Sequence, residues 1–572
     1  MTSSKEKKMQ KPSVSNWFKS GDPWVWLNAG AVAISVIMVI GLLLLIAVRG
    51  LGHFWPADIV EAKYQLPGES AYNLVAERVE SVEVPAVQVR EAGIAIGMDK
   101  ELISRTLMKT GNRDIYGSDF RWVLDDFLTD VQKPEMLFAA ERHEWGNFYG
   151  YLKAVKEDGT VVAQTQDKQV TESALATWNR FEKSIERALV IHEDIYQIEK
   201  HDIGSINHGL ERLRLKQRSL ELSDELTPAI LADLDADRAV FDQEYKVLQE
   251  QLIALYAQIN RDTFVVEAMD GSVSELQVAK VVRAFRPNAM NVIDKMGFYF
   301  AKLWEFLSDD PREANTEGGV FPAIFGTIMM VLLMTILVTP FGVVAAVYLR
   351  EYASQGWMTR IIRIAVNNLA GVPSIVYGVF GLGFFIYFMG SSIDQALFPE
   401  ALPSPTFGTG GLMWASITLA LLTVPVVIVA TEEGLSRIPR NVREGSLALG
   451  ATKAETLWRV VLPMASPAIM TGVILAVARA AGEVAPLMLV GVVKLAPSLP
   501  LDGNYPFIHL DQKFMHLGFH IYDVGFQSPN VEAARPLVYA TALLLVIVIA
   551  LLNLAAVTIR NHLREKYKSL EM

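Results

Sequence analysis

Six apolar runs, each long enough to cross a bilayer, limit what this chain can become. The first covers about 25–48, and five more lie at about 320–348, 371–390, 411–430, 467–492 and 535–558. A hydrocarbon layer about 30 Å thick takes about 20 helical residues to cross. Lipid offers no partner to backbone N–H and C=O groups, so such runs must be helical. Between the first run and the second stands a block of different character, 49–319, rich in charge and poor in long apolar stretches. The chain is 51% hydrophobic yet 20% charged, a mixture that fits neither a soluble protein nor one embedded throughout. The expected fold is therefore a polytopic α-helical membrane protein with six transmembrane helices and a large α+β insertion.

Charge assigns the sides. Net charge is −11, but the acidic excess sits in the block, and the remainder of the chain is net basic. That division argues against a nucleic-acid partner. Basic residues flank the first run (Lys5, Lys7, Lys8, Lys11, Lys19). They recur in the connections (Arg350, Arg360, Arg363, then Arg437, Arg440, Arg443, Lys453, Arg459) and in the tail (Arg560, Arg564, Lys566, Lys568). The positive-inside rule places both termini and these connections in the cytoplasm and the acidic block outside. The expected organisation is a cytoplasmic N-terminus (1–24), a first span (25–48), a periplasmic insertion (49–319), a core of five spans (320–558) and a cytoplasmic tail (559–572). The first run, with Trp24 and Trp26 at its edge, is too long for a signal-peptide core and reads as an uncleaved anchor. There is no cysteine, which excludes disulfides and thiol chemistry.

Within the insertion, Asp158-Gly159 and Asp270-Gly271 each separate two β-like stretches, a hairpin signal. Two long helical patterns, about 172–219 and 226–262, predict an antiparallel helical hairpin on a small β-containing base, with Pro228 at a helix start. Its charges read as a solvated face or as a docking surface. His143-Glu144 and His192-Glu193 begin like a zinc-protease helix, but positions 147 and 196 are Asn and Tyr. No Gly-x-Ser-x-Gly elbow and no phosphate-cradling Gly-x-x-x-x-Gly-Lys-Ser/Thr loop occurs. Neither catalytic nor metal-binding residues are expected, so any use of ATP falls to another polypeptide.

Two places in the core carry chemistry. The polar stretch Glu444–Pro463 lies between two apolar runs and is patterned as helix, broken at Gly450 and closed by Leu462-Pro463. It predicts two short helices at an angle, a knob offered to a soluble partner. In the fifth span, Arg479 and Glu483 stand four apart, hence on one helix face, with Gly482 and Pro486 able to bend it. Ionised side chains near mid-bilayer cost at least about 3 kcal/mol each, so they face protein or a water-filled path. They either lock helix to helix or line the path of an anion. Pro373 and Ser374 open the third span, as a plain helix start or as a pore-lining bend.

Glu444, Gly445, Ser446, Gly450, Leu462 and Pro463 together resemble the EAA loop of ABC-transporter permeases, with Gly445 and Ser446 where that family usually has two alanines. The strings Gly-Val-Pro-Ser-Ile-Val-Tyr-Gly (371–378) and Arg-Ala-Ala-Gly-Glu-Val-Ala-Pro (479–486) are similar to PstA-type permeases of phosphate-uptake ABC transporters. The resemblance covers roughly 320–560. Val484 replaces the family's usual Thr, and compact members lack the insertion. The resemblance implies a MetI-like permease fold and phosphate import by alternating access. It also implies an ATPase dimer holding ATP and magnesium, a second PstC-type permease and a periplasmic phosphate-binding protein. A permease for another oxyanion, or a membrane sensor using the insertion, are the rival readings.

Overall fold

The computed structural model describes residues 20–97, 100–528 and 531–567. The lysines of the first nineteen residues and Lys568 lie outside them. Among the described residues six helices are long and apolar enough to span a membrane: α1 (Asp22–Gly52) and five later ones. Helix α1 is exposed along most of its length and packs against the last span near its end, where Gly50 meets Tyr539 and Ala540.

The insertion holds more β-structure than its two hairpin signals foretell. Strands β1 (Ile59–Tyr64), β2 (Tyr72–Pro85), β3 (Leu102–Lys109), β4 (Phe120–Leu124) and β5 (Leu128–Gln132) form an antiparallel sheet in the order β4-β3-β2-β1-β5. A second sheet runs β10-β9-β7-β6-β11, from β6 (Phe138–Arg142), β7 (Phe148–Glu157), β9 (Asp262–Glu267), β10 (Val273–Gln277) and β11 (Val281–Phe285). Strand β8 (Thr160–Gln164) pairs with β7 through the Asp158-Gly159 turn, whose two residues both take positive φ. Chain order is broken because α2 (Glu172–Gln197), α3 (Ile203–Leu222) and α4 (Pro228–Ile259) intervene between β8 and β9. Helix α2 lays Trp178, Phe181 and Ile185 on Phe138, Phe148 and Phe264 of the second sheet, which anchors the hairpin. Thr171 and Thr227 cap the two arms by accepting backbone N–H bonds.

Helix α5 (Val292–Ser308) leads to the core, with a capping box at Asn291 and Asp294. The core helices follow: α6 (Phe321–Tyr352), α7 (Trp357–Leu369), α8 (Ser374–Leu397), α9 (Leu412–Arg437), α10 (Arg440–Ala448), α11 (Lys453–Gly482), α12 (Leu517–Tyr522) and α13 (Val531–Tyr567). Helix α9 is the most buried, surrounded by α6, α8 and α11. Its buried Ser416, Thr418 and Thr423 donate to carbonyls four residues back, so their hydroxyls need no outside partner. Small residues set the helix spacing: a Cβ on Gly342 would meet Val427, and one on Gly472 would meet Ala430.

Two expectations are corrected. The fifth span does not cover 467–492; α11 starts at Lys453 and stops at Gly482. Leu462-Pro463 does not end a helix either. A π-helical turn at Leu457–Val461 precedes it, and the wider turn lets a residue without an N–H follow without breaking the rod.

Candidate functional site

At one end of the bundle the stretch 440–463 forms an elbow. Helix α10 stops at Ala448, Gly450 turns the chain at φ +90°, and Thr452 and Glu455 form a capping box that starts α11. A side chain at Gly450 would meet open space but would be strained by that φ. Ser446 and Thr456 share a hydroxyl hydrogen bond of 2.9 Å across the angle, which holds the two helices together. Glu444 and Gly445 are exposed on the outer face of α10.

Contacts that sequence reasoning missed tie this elbow to the end of α6. Arg443 donates to Glu351 Oε1 at 2.9 Å and to the carbonyls of Leu435 and Ile438 at 2.8 and 2.7 Å. Lys453 donates to the Glu351 carbonyl and lies 4.5 Å from the centre of the Tyr352 ring. These contacts join the elbow to the ends of α6 and α9. Beyond it, Leu449 is 91% exposed and Trp458 76%. Both are apolar side chains left bare on a polar elbow. Their presence in a polar stretch was the available signal.

The second feature lies deep in the bundle. Gly434 packs on Ala468 and Gly472 on Ala430. That antiparallel register carries Arg479 to the level of Leu422 and Thr423, near the middle of α9. Gly381 packs on Thr418, so α8 running the other way brings Tyr377 to the same level. Both neighbouring helices are interrupted there. Helix α7 ends at Leu369, and Pro373 caps the start of α8, with Ser374 its first residue. The Tyr377 hydroxyl donates to the Leu369 carbonyl at 2.7 Å, satisfying a group the break leaves open. Helix α11 ends at Gly482, and Glu483 is already extended.

Arg479 and Glu483 are thus not two residues on one helix face. The carboxylate sits just past the helix end, and the pair closes at 3.5 Å. Arg479 in the last turn also opposes the negative pole of the helix dipole. Gly482 and Pro486 mark an ending rather than a bend: Pro486 caps the short turn Leu487–Val490. A Cβ on Gly378 would come within 2.6 Å of Pro486 Cα, so the two interruptions touch. The structure brings Ser374, Tyr377, Arg479, Glu483 and Pro486 into one neighbourhood at mid-depth. Irregular backbone at that depth is tolerated only where protein or a polar path surrounds it.

Residues 338–569, all beyond the insertion, match the family described as binding-protein-dependent transport system inner membrane component. The chain is 38% identical over 247 residues to the phosphate transport system permease protein PstA 1 of Mycobacterium tuberculosis (strain CDC 1551 / Oshkosh), covering 42% of this chain and 71% of that protein. It is 34% identical over 276 residues to PstA of Mycobacterium leprae (strain TN), covering 47% and 81%. It is also 31% identical over 219 residues to PstC of Xylella fastidiosa (strain 9a5c), covering 36% and 65%.

Proposed function

This chain belongs to the PstA-type permeases of ABC importers, and we propose that it carries inorganic phosphate inward across the bacterial inner membrane, powered by a separate ATPase. The observation that carries the reading is the pair of helix interruptions meeting at Arg479 in the middle of the bundle. Helix-start amides at Ser374 and a guanidinium with unused donors are what a phosphate passing mid-membrane would need. Glu483 holds the guanidinium in place and keeps the site near neutrality when no anion is present. The likeness to PstC supports a second, similar permease facing this one across the path, and a binding protein would deliver phosphate to the side where the insertion lies.

In this reading the elbow is the transmission. Closure of an ATPase dimer on ATP and magnesium, both held by the partner, pushes Leu449 and Trp458. Arg443 and Lys453 pass the push to α6, while α11 carries it to the Arg479 level. The path then opens alternately to each side. The positive-inside rule puts the elbow and the termini in the cytoplasm and 49–319 in the periplasm.

The test is reconstitution of the chain with its ATPase, companion permease and binding protein in vesicles. Gly450→Pro should leave assembly and ATP hydrolysis measurable while phosphate uptake per ATP falls toward zero. Wild-type uptake by a correctly inserted Gly450→Pro complex would refute the elbow's role. Uptake of sulfate or molybdate in place of phosphate would move the assignment to another oxyanion.

A further inference from the structure

Where the insertion meets the membrane bundle, the molecule encloses a chamber of about 570 Å³. One wall is apolar and belongs to the spans: Leu45 and Val48 from α1, Pro536 and Leu537 from α13. Val48 is 65% exposed on the side of α1 that meets lipid, so this wall continues the lipid-facing surface inward. The opposite wall comes from β2, β3 and α5 and is charged.

The carboxylates of that wall are largely spoken for. Glu141 accepts from Lys302 at 2.7 Å, and Glu305 takes Arg312 at 2.6 Å and Arg283 at 3.1 Å. Burial pushes Glu77 and Glu317 up, while the charge of Lys109 pulls both the other way. The cations are less occupied. Arg49 and Arg535, at the ends of α1 and α13, share the single carboxylate of Glu80 at 3.8 and 3.9 Å. Arg78 lines the chamber without an ion pair among the described residues, and Lys109 faces Glu77 across the strand pair β2–β3 without closing a salt bridge to it. The lining holds one more cation than carboxylate, so the pocket is slightly basic, with an apolar wall and two loosely paired cations, Arg49 and Arg535, beside that wall.

Its depth is set by α5, which is turned inside out relative to a helix bathed in water. Lys302 and Glu305 point into the chamber, while Ile293, Met296, Phe300 and Trp304 form an exposed stripe on the outside. Phe54, just past the end of α1, packs its ring at a tilt against Phe306 of α5, with the ring centres 5.2 Å apart. An apolar outer stripe ending in Trp, on a helix packed against the end of a span, suits the headgroup zone of a membrane.

We propose that this chamber seats one anionic phospholipid, its phosphate held by Arg49, Arg535 and Lys109 and its acyl chains lying along Leu45 and Val48. The lipid would fill the joint between the insertion and the spans α1 and α13. The apolar wall favours a lipid over a free phosphate ion, since an inorganic anion has no use for Leu45 and Val48.

The test is native mass spectrometry of the full chain purified in mild detergent and offered phosphatidylglycerol or phosphatidylcholine. One phosphatidylglycerol per chain should persist, and phosphatidylcholine should not. Arg49→Gln and Arg535→Gln should each weaken retention about fivefold, and the double variant about 25-fold. Lys109→Met, which alters no span, should have the single-charge effect, separating lost binding from lost packing of α1 on α13. Millimolar inorganic phosphate should not displace the lipid. No retained lipid, equal retention of both lipids, unchanged retention in all three variants, or displacement by inorganic phosphate would each overturn the proposal, the last pointing to a free-anion site.

Discussion

The charged network at the joint below the insertion and the half-buried pair in the bundle are built differently. At the joint below the insertion, Glu305 takes Arg312 and Arg283 at 2.6 and 3.1 Å, with Lys302 close by at 3.2 Å. Such a network satisfies the carboxylate completely and leaves it nothing further to do. In the bundle, Arg479 has one carboxylate at 3.5 Å and a guanidinium of five donors. At the joint the carboxylate has three cations around it, whereas in the bundle the guanidinium has a single carboxylate. That contrast, more than the presence of charge, separates the joint from the proposed transport site.

Arg479→Gln should break the comparison at its working end. Uptake by the reconstituted complex should fall to background while assembly persists, because the pair at 3.5 Å contributes little to packing. A variant that cannot assemble would show that the pair is a helix lock. Glu305→Ala attacks the other end. It leaves Arg283, Arg312 and Lys302 crowded without their anion, and removing one partner of a buried network costs about 3–5 kcal/mol. Thermal unfolding of the purified chain should register that loss, with uptake per folded molecule little changed.

How far each place could be read from sequence follows from how local it is. The spans were legible because about 20 apolar residues in succession have few other uses. The elbow was legible at Gly450, where a break in a helical pattern sits between two spans. The true start of α11 was hidden, since Lys453–Arg459 is polar and a proline follows at 463; only the π turn reveals that the helix runs through. Arg479 and Glu483 could be paired by spacing alone. Tyr377 and Gly378 could not be joined to them, because nothing in the sequence says that 378 meets 486. The chamber was invisible. Its walls come from segments near 48, 78, 109, 305 and 535, and only the fold brings them together.

Gly378→Leu sharpens the comparison from the side of shape. Its Cβ would stand 2.6 Å from Pro486 Cα, so the two interruptions must move apart. Overpacking of this kind costs about 1–3 kcal/mol. Here the cost should appear as uptake reduced about tenfold, measured at unchanged ATPase binding, since the joint below the insertion is untouched.

The smallest effect concerns the rim of the joint, where Asp58 accepts from Lys133 at 2.6 Å and from Lys295 of α5. Those two hydrogen bonds, that from Lys133 first, hold the carboxyl below its ordinary value. A folded value lower than the unfolded one means that the contribution to stability is present above the unfolded pKa. It is lost as pH falls through the folded one. Asp58 is about one-third exposed, so solvent screening limits the gain to under about 1 kcal/mol. Asp58→Asn should therefore lower the unfolding midpoint slightly at neutral pH, and the gap to wild type should close in acid. A gap of equal size at both pH values would mean that Asp58 acts through packing. The rim would then differ in kind from Glu305, whose place in the network rests on charge.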